Sequence, residues 1–148
     1  MPNNTDYVLK IDGITGDSVQ RGFEGWFTLI SYAWGVDGSD GGHPAGLPLV
    51  VETPAVKGVP LVEDKALQGS TLPRVELQAV LATTRPSGWI FKAVLTNAKV
   101  VSSALDWNAQ DGVITRWSLS EYTQAEVSSR FLDARGNWTP ISTATWRP

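Results

Sequence analysis

The chain contains no cysteine. Disulfides, thiolate nucleophiles and sulfur-ligated metals are therefore excluded. It has a single histidine, His43, which removes multi-histidine metal sites and histidine-pair chemistry. Positive charge is not in excess: 12 Lys and Arg stand against 15 Asp and Glu, a net charge of −3. A nucleic-acid partner needs a basic footprint for its phosphates, and this chain has none. No apolar run approaches the roughly 20 residues that span a bilayer as a helix, so membrane insertion is not expected. Met1 to Asp6 has neither the basic region nor the apolar region of a secretory signal peptide. If the chain leaves the cell, the expected route is one that does not read such a signal.

What is present is a globular composition, 42% hydrophobic and 18% charged, in 148 residues. That length fits a single domain over residues 1–148 with a core of its own. Tryptophan is abundant, with seven in the chain. Trp favours half-buried strands and interfaces, where one edge is apolar and the indole N–H still finds a partner.

Most segments repeat with period 2. Tyr7, Leu9 and Ile11 alternate with Val8 and Lys10. Trp26 to Trp34 reads as the strongest strand, with Trp26, Thr28, Ile30, Tyr32 and Trp34 on one face and Phe27, Leu29, Ser31 and Ala33 on the other. Both faces are apolar, which predicts cover on both sides, by the core and by something else. Further strands are expected over 49–53, 75–81, 89–96, 98–105, 113–119, 124–131 and 143–146, with 75–81 and 89–96 paired across the turn-rich Thr84 to Gly88 and a turn over Asp133 to Asn137. Pro60 ahead of Leu61 to Gln68, with Gly69 just past the end, predicts one short helix. Gly35 to Pro48 is Gly-, Asp- and Pro-rich and reads as an exposed loop. The fold class is all-β: a small closed or nearly closed β-barrel of about seven to nine strands with one short α-helix.

No residue pattern points to catalysis. There is no G-x-S-x-G elbow to pair with His43, which lies in the Gly-rich loop where a solvated imidazole is the ordinary case. Glu24, Asp37, Asp40 and Glu52 lie near aromatics and would suit a glycosidase pair, but scattered surface acids serve solubility in most barrels. The run Asp37 to Gly42 lacks the spacing and the final Glu of a calcium loop. No catalytic residue, metal site or cofactor is assigned.

Two stretches carry a family likeness. Asp6-Tyr7-Val8-Leu9-Lys10-Ile11-Asp12-Gly13-Ile14-Thr15-Gly16-Asp17-Ser18, followed by Trp26 to Gly35, resembles the opening of the hemolysin-coregulated protein family, Hcp. That family begins with an aromatic-x-x-Lys-Ile-x-Gly-Ile-x-Gly-Glu-Ser block and then a strand ending in aromatic-x-Trp-Gly. Position 17 is Asp where the family has Glu. Val100 to Ser103 and Glu126-Val127 also resemble later family segments. The resemblance implies a non-enzymatic tube protein of type VI secretion, cytoplasmic before assembly and secreted without a cleavable signal peptide: a hexameric ring that stacks on copies of itself, with spike protein, sheath and effector cargo as partners. On this reading Trp26, Trp34, Asp37, His43 and Leu47 are candidate subunit-interface residues, and the Gly35 to Pro48 loop reaches a neighbouring subunit or ring. The alternative from a different class is a carbohydrate- or peptide-binding barrel that uses exposed Trp rings as a stacking platform.

Overall fold

The computed structural model describes residues 5–37, 45–55, 57–81 and 88–148. Its strands in chain order are β1 (Thr5–Ile11), β2 (Phe27–Thr28), β3 (Ser31–Ala33), β4 (Val36–Asp37), β5 (Ala45–Gly46), β6 (Leu49–Pro54), β7 (Thr71–Leu81), β8 (Gly88–Asn108), β9 (Gly112–Ser120), β10 (Gln124–Ser129) and β11 (Ser142–Trp146). One helix, α1 (Val59–Gln68), stands between β6 and β7. Nine strands join one antiparallel sheet along the path β2-β1-β7-β8-β9-β6-β3, with β10 and β11 branching from β8. Strands β4 and β5 form a separate two-stranded ribbon within the segment read as a loop, whose residues 38–44 lie outside the described ones.

The 21 residues of β8 organise the barrel. Sequence patterning reads this stretch as two strands, 89–96 and 98–105. The structure shows one strand with a corner at Asn97, whose φ is +56°. On one side β8 pairs with β7 from Gly88 to Lys99. On the other side Phe91 to Thr96 pairs with β10, and Lys99 to Asn108 pairs with β9. Glu121, between β9 and β10, carries the matching φ of +55°. The two left-handed residues turn both strands together, and Asn97 Nδ2 donates to Thr123 Oγ1 across the corner at 3.3 Å. Ala98 and Tyr122 fill its inner side, with 0% and 4% of their surface exposed.

Trp26 to Trp34 is also corrected. It is not one strand. Phe27 and Thr28 pair with β1, and Ser31 to Ala33 pair with β6. In the first half Phe27 and Leu29 point into the core; in the second half Tyr32 and Trp34 pack against it while Ala33 is exposed. The inward face switches between Leu29 and Ser31. Both faces are apolar because each supplies the core in turn, so the pattern needs no outside partner to explain it. The hydrogen-bonded ladder does not close on itself. The circuit is completed by this covalent crossing, held by Ile30 N to Glu52 O (2.7 Å), Leu29 N to Tyr7 O (2.9 Å) and Thr53 Oγ1 to Thr28 O (2.9 Å).

The helix begins two residues earlier than Leu61. Pro60 sits in the first turn, where no intrahelical N–H is required of it, and Gly69 ends the helix at φ +64°, its N–H donating to Ala66 O. Val59 and Val62 are buried and Ala66 packs against the core.

The opening Gly-Ile-Thr-Gly block has a packing role. Gly13 takes φ +83° to turn the chain after β1, and Ile14 returns to the core and bridges Ile11. At Gly16 a Cβ would lie 2.7 Å from the Trp26 carbonyl oxygen and 2.8 Å from the Phe27 nitrogen, so only a hydrogen fits.

Candidate assembly interface

Of the five residues expected at a subunit interface, the structure brings two together. Trp34 stacks on Trp146 with ring centroids 5.3 Å apart and meets Tyr122 edge-on at 6.3 Å. Its Nε1 donates to Tyr122 Oη (3.4 Å), and that hydroxyl donates to the backbone oxygen of Leu47 (3.1 Å). Leu47 itself is 43% exposed and borders a shallow apolar groove of about 440 Å³ with Ala33, Pro48, Val50 and Ser118. Trp34 thus packs against the core and lines the same groove, where Leu47 is exposed. Trp26 lies elsewhere, edge-on to Phe23 at 5.1 Å. Asp37 enters the ribbon opposite Ala45. His43 lies outside the described residues.

Burial pushes the Tyr122 phenol above its ordinary pKa of 10.0, and the hydrogen bond from Trp34 partly offsets that rise. Burial, reinforced by the neighbouring Tyr7, raises Tyr32 as well. A phenol with a folded-state pKa above its unfolded value stabilises the fold fully below about pH 10, and that contribution fades as pH climbs through the folded value. Tyr122→Phe removes the donor to Leu47 and the acceptor for Trp34. Urea unfolding at neutral pH is expected to show a loss of about 1–2 kcal/mol, with a shallower decline of stability above pH 10 than in the parent.

The acids proposed for a glycosidase pair are spent separately. Glu52 accepts from Ser31 Oγ (2.9 Å) and pairs with Arg116 (3.2 Å). Glu24 accepts from Gly22 N–H on an exposed turn. Asp40 lies outside the described residues. Among the described residues there is no cluster of three or more His, Asp or Glu side chains that would hold a metal ion.

Six of the seven Trp side chains are engaged within the chain. Trp117 is fully buried against Phe27, Trp34 stacks on Trp146, Trp26 packs on Phe23, and Trp89 and Trp138 flank Arg130. Trp107 is different, with 66% of its surface exposed. It lies near the tip of the β8–β9 hairpin, opposite Val113, with Leu105 opposite Thr115. Farther along the same face Thr115 and Trp117 are completely buried. The hairpin therefore runs past the end of the core and leaves Leu105, Trp107 and Val113 uncovered, at 63%, 66% and 49% exposure. Beside it, Leu67 of α1 and Val101 of β8 border a groove of about 470 Å³. The periodicity reads Val101, Leu105 and Val113 as strand residues and stops short of Trp107, but where the core stops is set by how far β6 and β7 reach.

Besides the short end strands β2 and β3, two sheet edges are unpaired among the described residues. Strand β7 ends opposite Lys99, so β8 from Val101 to Asn108 has β9 on one side only. Strand β11 pairs with β10 on one side only, and Ser142 to Thr145 are exposed on both faces. Neither Val101 to Asn108 nor β11 carries a lysine or proline to discourage pairing.

A family model described as "Type VI secretion system effector, Hcp" matches residues 8–131. The chain belongs to the Hcp family. Its fold is similar to that of Hcp1 from Salmonella typhimurium, at 16% identity and a TM-score of 0.80 over 97% of this chain and 94% of that one. It is similar also to a type VI secretion system effector from Yersinia pestis, at 15% identity and a TM-score of 0.81 over 97% and 100%. The secreted protein Hcp3 from Pseudomonas aeruginosa matches at 18% identity with a TM-score of 0.68 over 97% and 98%. No curated protein matches the chain. The β-rich fold with one helix and the Hcp resemblance read from the opening block therefore agree with the family and with its solved folds. Hcp is a secreted tube protein of type VI secretion, a structural family and not one of enzymes. No helix among the described residues is long and apolar enough to cross a membrane.

Proposed function

We propose that this Hcp-family chain is a structural subunit that joins copies of itself head to tail into a closed hexameric ring, and that such rings stack into the inner tube of a type VI secretion system. Membership of the Hcp family supports the ring number and the stacking. The observation on this chain that carries self-association is its pair of free sheet edges. A free edge leaves backbone N–H and C=O groups without ladder partners, and a strand from a second copy satisfies them. The two edges are different strands of one subunit, β8 beyond Val101 and β11. A contact between unlike surfaces is heterologous, and it repeats until rotation closes a ring. The uncovered Leu105, Trp107 and Val113 supply apolar area at one of those edges. The Leu47 groove, supported by Trp34, belongs to the same proposal as a second contact. Spike protein, sheath and effector cargo in the lumen are the partners this role entails, and the chain acts as a conduit without chemistry of its own.

Sedimentation velocity and native mass spectrometry test the reading. The parent chain is expected to give a hexamer mass at high concentration. The double variant Leu105→Asp, Trp107→Asp is expected to give monomer with unchanged circular dichroism, because each centrally placed anchor lost costs an interface about 2 kcal/mol or more. A parent chain that stays strictly monomeric overturns the proposal.

A further inference from the structure

Beyond assembly, the structure contains a cationic site that nothing in the tube role requires. The Arg130 guanidinium lies between two indoles, its Cζ 4.2 Å from the Trp89 ring centroid and 4.0 Å from that of Trp138. Lys92 Nζ stands 4.6 Å from the same Trp89 ring. Arg130 Nε donates to the Trp89 carbonyl oxygen at 2.9 Å, which fixes the plane of the group. Gly88 makes room for it. A Cβ at that position would stand 2.9 Å from Arg130 Nη2 and 3.0 Å from the Trp138 ring.

With its faces covered and Nε engaged, the guanidinium offers only its outer edge. The four N–H groups of Nη1 and Nη2 have no acceptor among the described residues. The ion pairs among the described residues are Arg74–Glu76, Lys99–Glu121, Arg116–Glu52 and Arg116–Asp106, so within them neither Arg130 nor Lys92 has a carboxylate partner. Of the carboxylates on the outer face of these strands, Glu76 is already held by Arg74 and Gln78, and Asp6 and Glu126 pair with neither cation. Two cations within 5 Å of one indole centroid, in a chain of net charge −3, are a local reversal of its surface sign.

We propose that this Lys92–Trp89–Arg130–Trp138 array is a binding site for an oxyanion, a group with two coplanar oxygens taken bidentately by the Arg130 edge. A guanidinium held in one plane matches such a group in geometry and has already lost the rotamer freedom that binding would otherwise cost. Two sources present this chemistry: carboxylates on an acidic polypeptide segment, and free phosphate. The site does not depend on the ring-and-tube reading, because all four side chains belong to one subunit.

The test follows ¹H–¹⁵N signals of the Trp89 and Trp138 indoles and of Arg130 Nε at low salt, during titration with hexaglutamate, with hexaglutamine and with inorganic phosphate. The Trp117 indole, sealed in the core, reports that the fold is intact. Saturable shifts of the three site signals with hexaglutamate but not hexaglutamine identify a polypeptide carboxylate. Shifts with phosphate alone identify the free ion. In either case Arg130→Lys is expected to weaken binding about tenfold or more, since an ammonium cannot supply the fork, and Lys92→Gln is expected to weaken it less. The absence of saturable shifts with both anions overturns the proposal, and so does unchanged binding in both Arg130→Lys and Arg130→Gln while the Trp117 signal holds its position.

Discussion

Alanine at position 117 is expected to lower the unfolding free energy by about 3–5 kcal/mol, the range for removing a large aromatic side chain from a packed core. Trp117 has no exposed surface and meets Phe27 edge-to-face at 5.1 Å. It lies on β9 beside Val51 of β6 and Ser103 of β8, where three strands converge. Among the described residues its indole N–H has no hydrogen-bond partner, and burying such a donor unpaired carries a cost. Trp117→Phe removes the orphaned donor and most of the packing loss together, and it is expected to cost about 2 kcal/mol less than alanine. Urea unfolding of both variants measures the difference. Equal losses would show that the hydrophobic volume at this site contributes little.

The second large effect is expected at Gly58. This residue precedes α1 with φ +93°, a region that residues with a Cβ rarely enter. A methyl group there would overlap the Thr15 carbonyl oxygen and lie 2.8 Å from Phe27 Cζ. Its own carbonyl accepts the Leu61 and Val62 N–H groups that start the helix. Strain and overpacking act together, so Gly58→Ala is expected to cost about 3 kcal/mol or more. Gly22→Ala is the comparison. Gly22 has a similar φ of +88° but nothing within 4 Å of an added Cβ, so it carries the backbone term alone. The gap between the two variants measures the steric term at Gly58. Losses of equal size would place the whole effect in the backbone.

Both sites tie the opening block to the rest of the barrel. Thr15 touches Gly58, and Gly16 lies against Trp26 and Phe27, so the Gly-Ile-Thr-Gly turn is the seat on which the crossing segment and the helix start rest. Gly16 and Ile14, within the block that carried the family resemblance, are therefore packing residues. Here the motif marks a close backbone approach.

Period-2 alternation was enough to show an all-β chain, and the Pro60 and Gly69 signals placed the helix to within two residues. Both are local properties, fixed by which neighbours a side chain faces and by which φ values proline and glycine permit. The lack of cysteine and of a basic footprint was also complete in the sequence, because composition alone decides those questions. The corner in β8 was not legible. Asn97 and Glu121 take positive φ because two strands bend together, and nothing local in either residue demands it. The switch of inward face in Trp26 to Trp34 was hidden for the same reason: period 2 cannot tell a strand covered on both sides from a segment that pairs with two different strands of one sheet in succession. Cation–π partners forty residues apart, the exposure of Trp107 against the burial of Trp117, and the two free edges depend on where other strands end. The sequence determined which segments are strands and what chemistry is missing. Only the tertiary structure decided which side chains the core covers and which remain for a partner, because burial is a property of the whole sheet and not of any one strand.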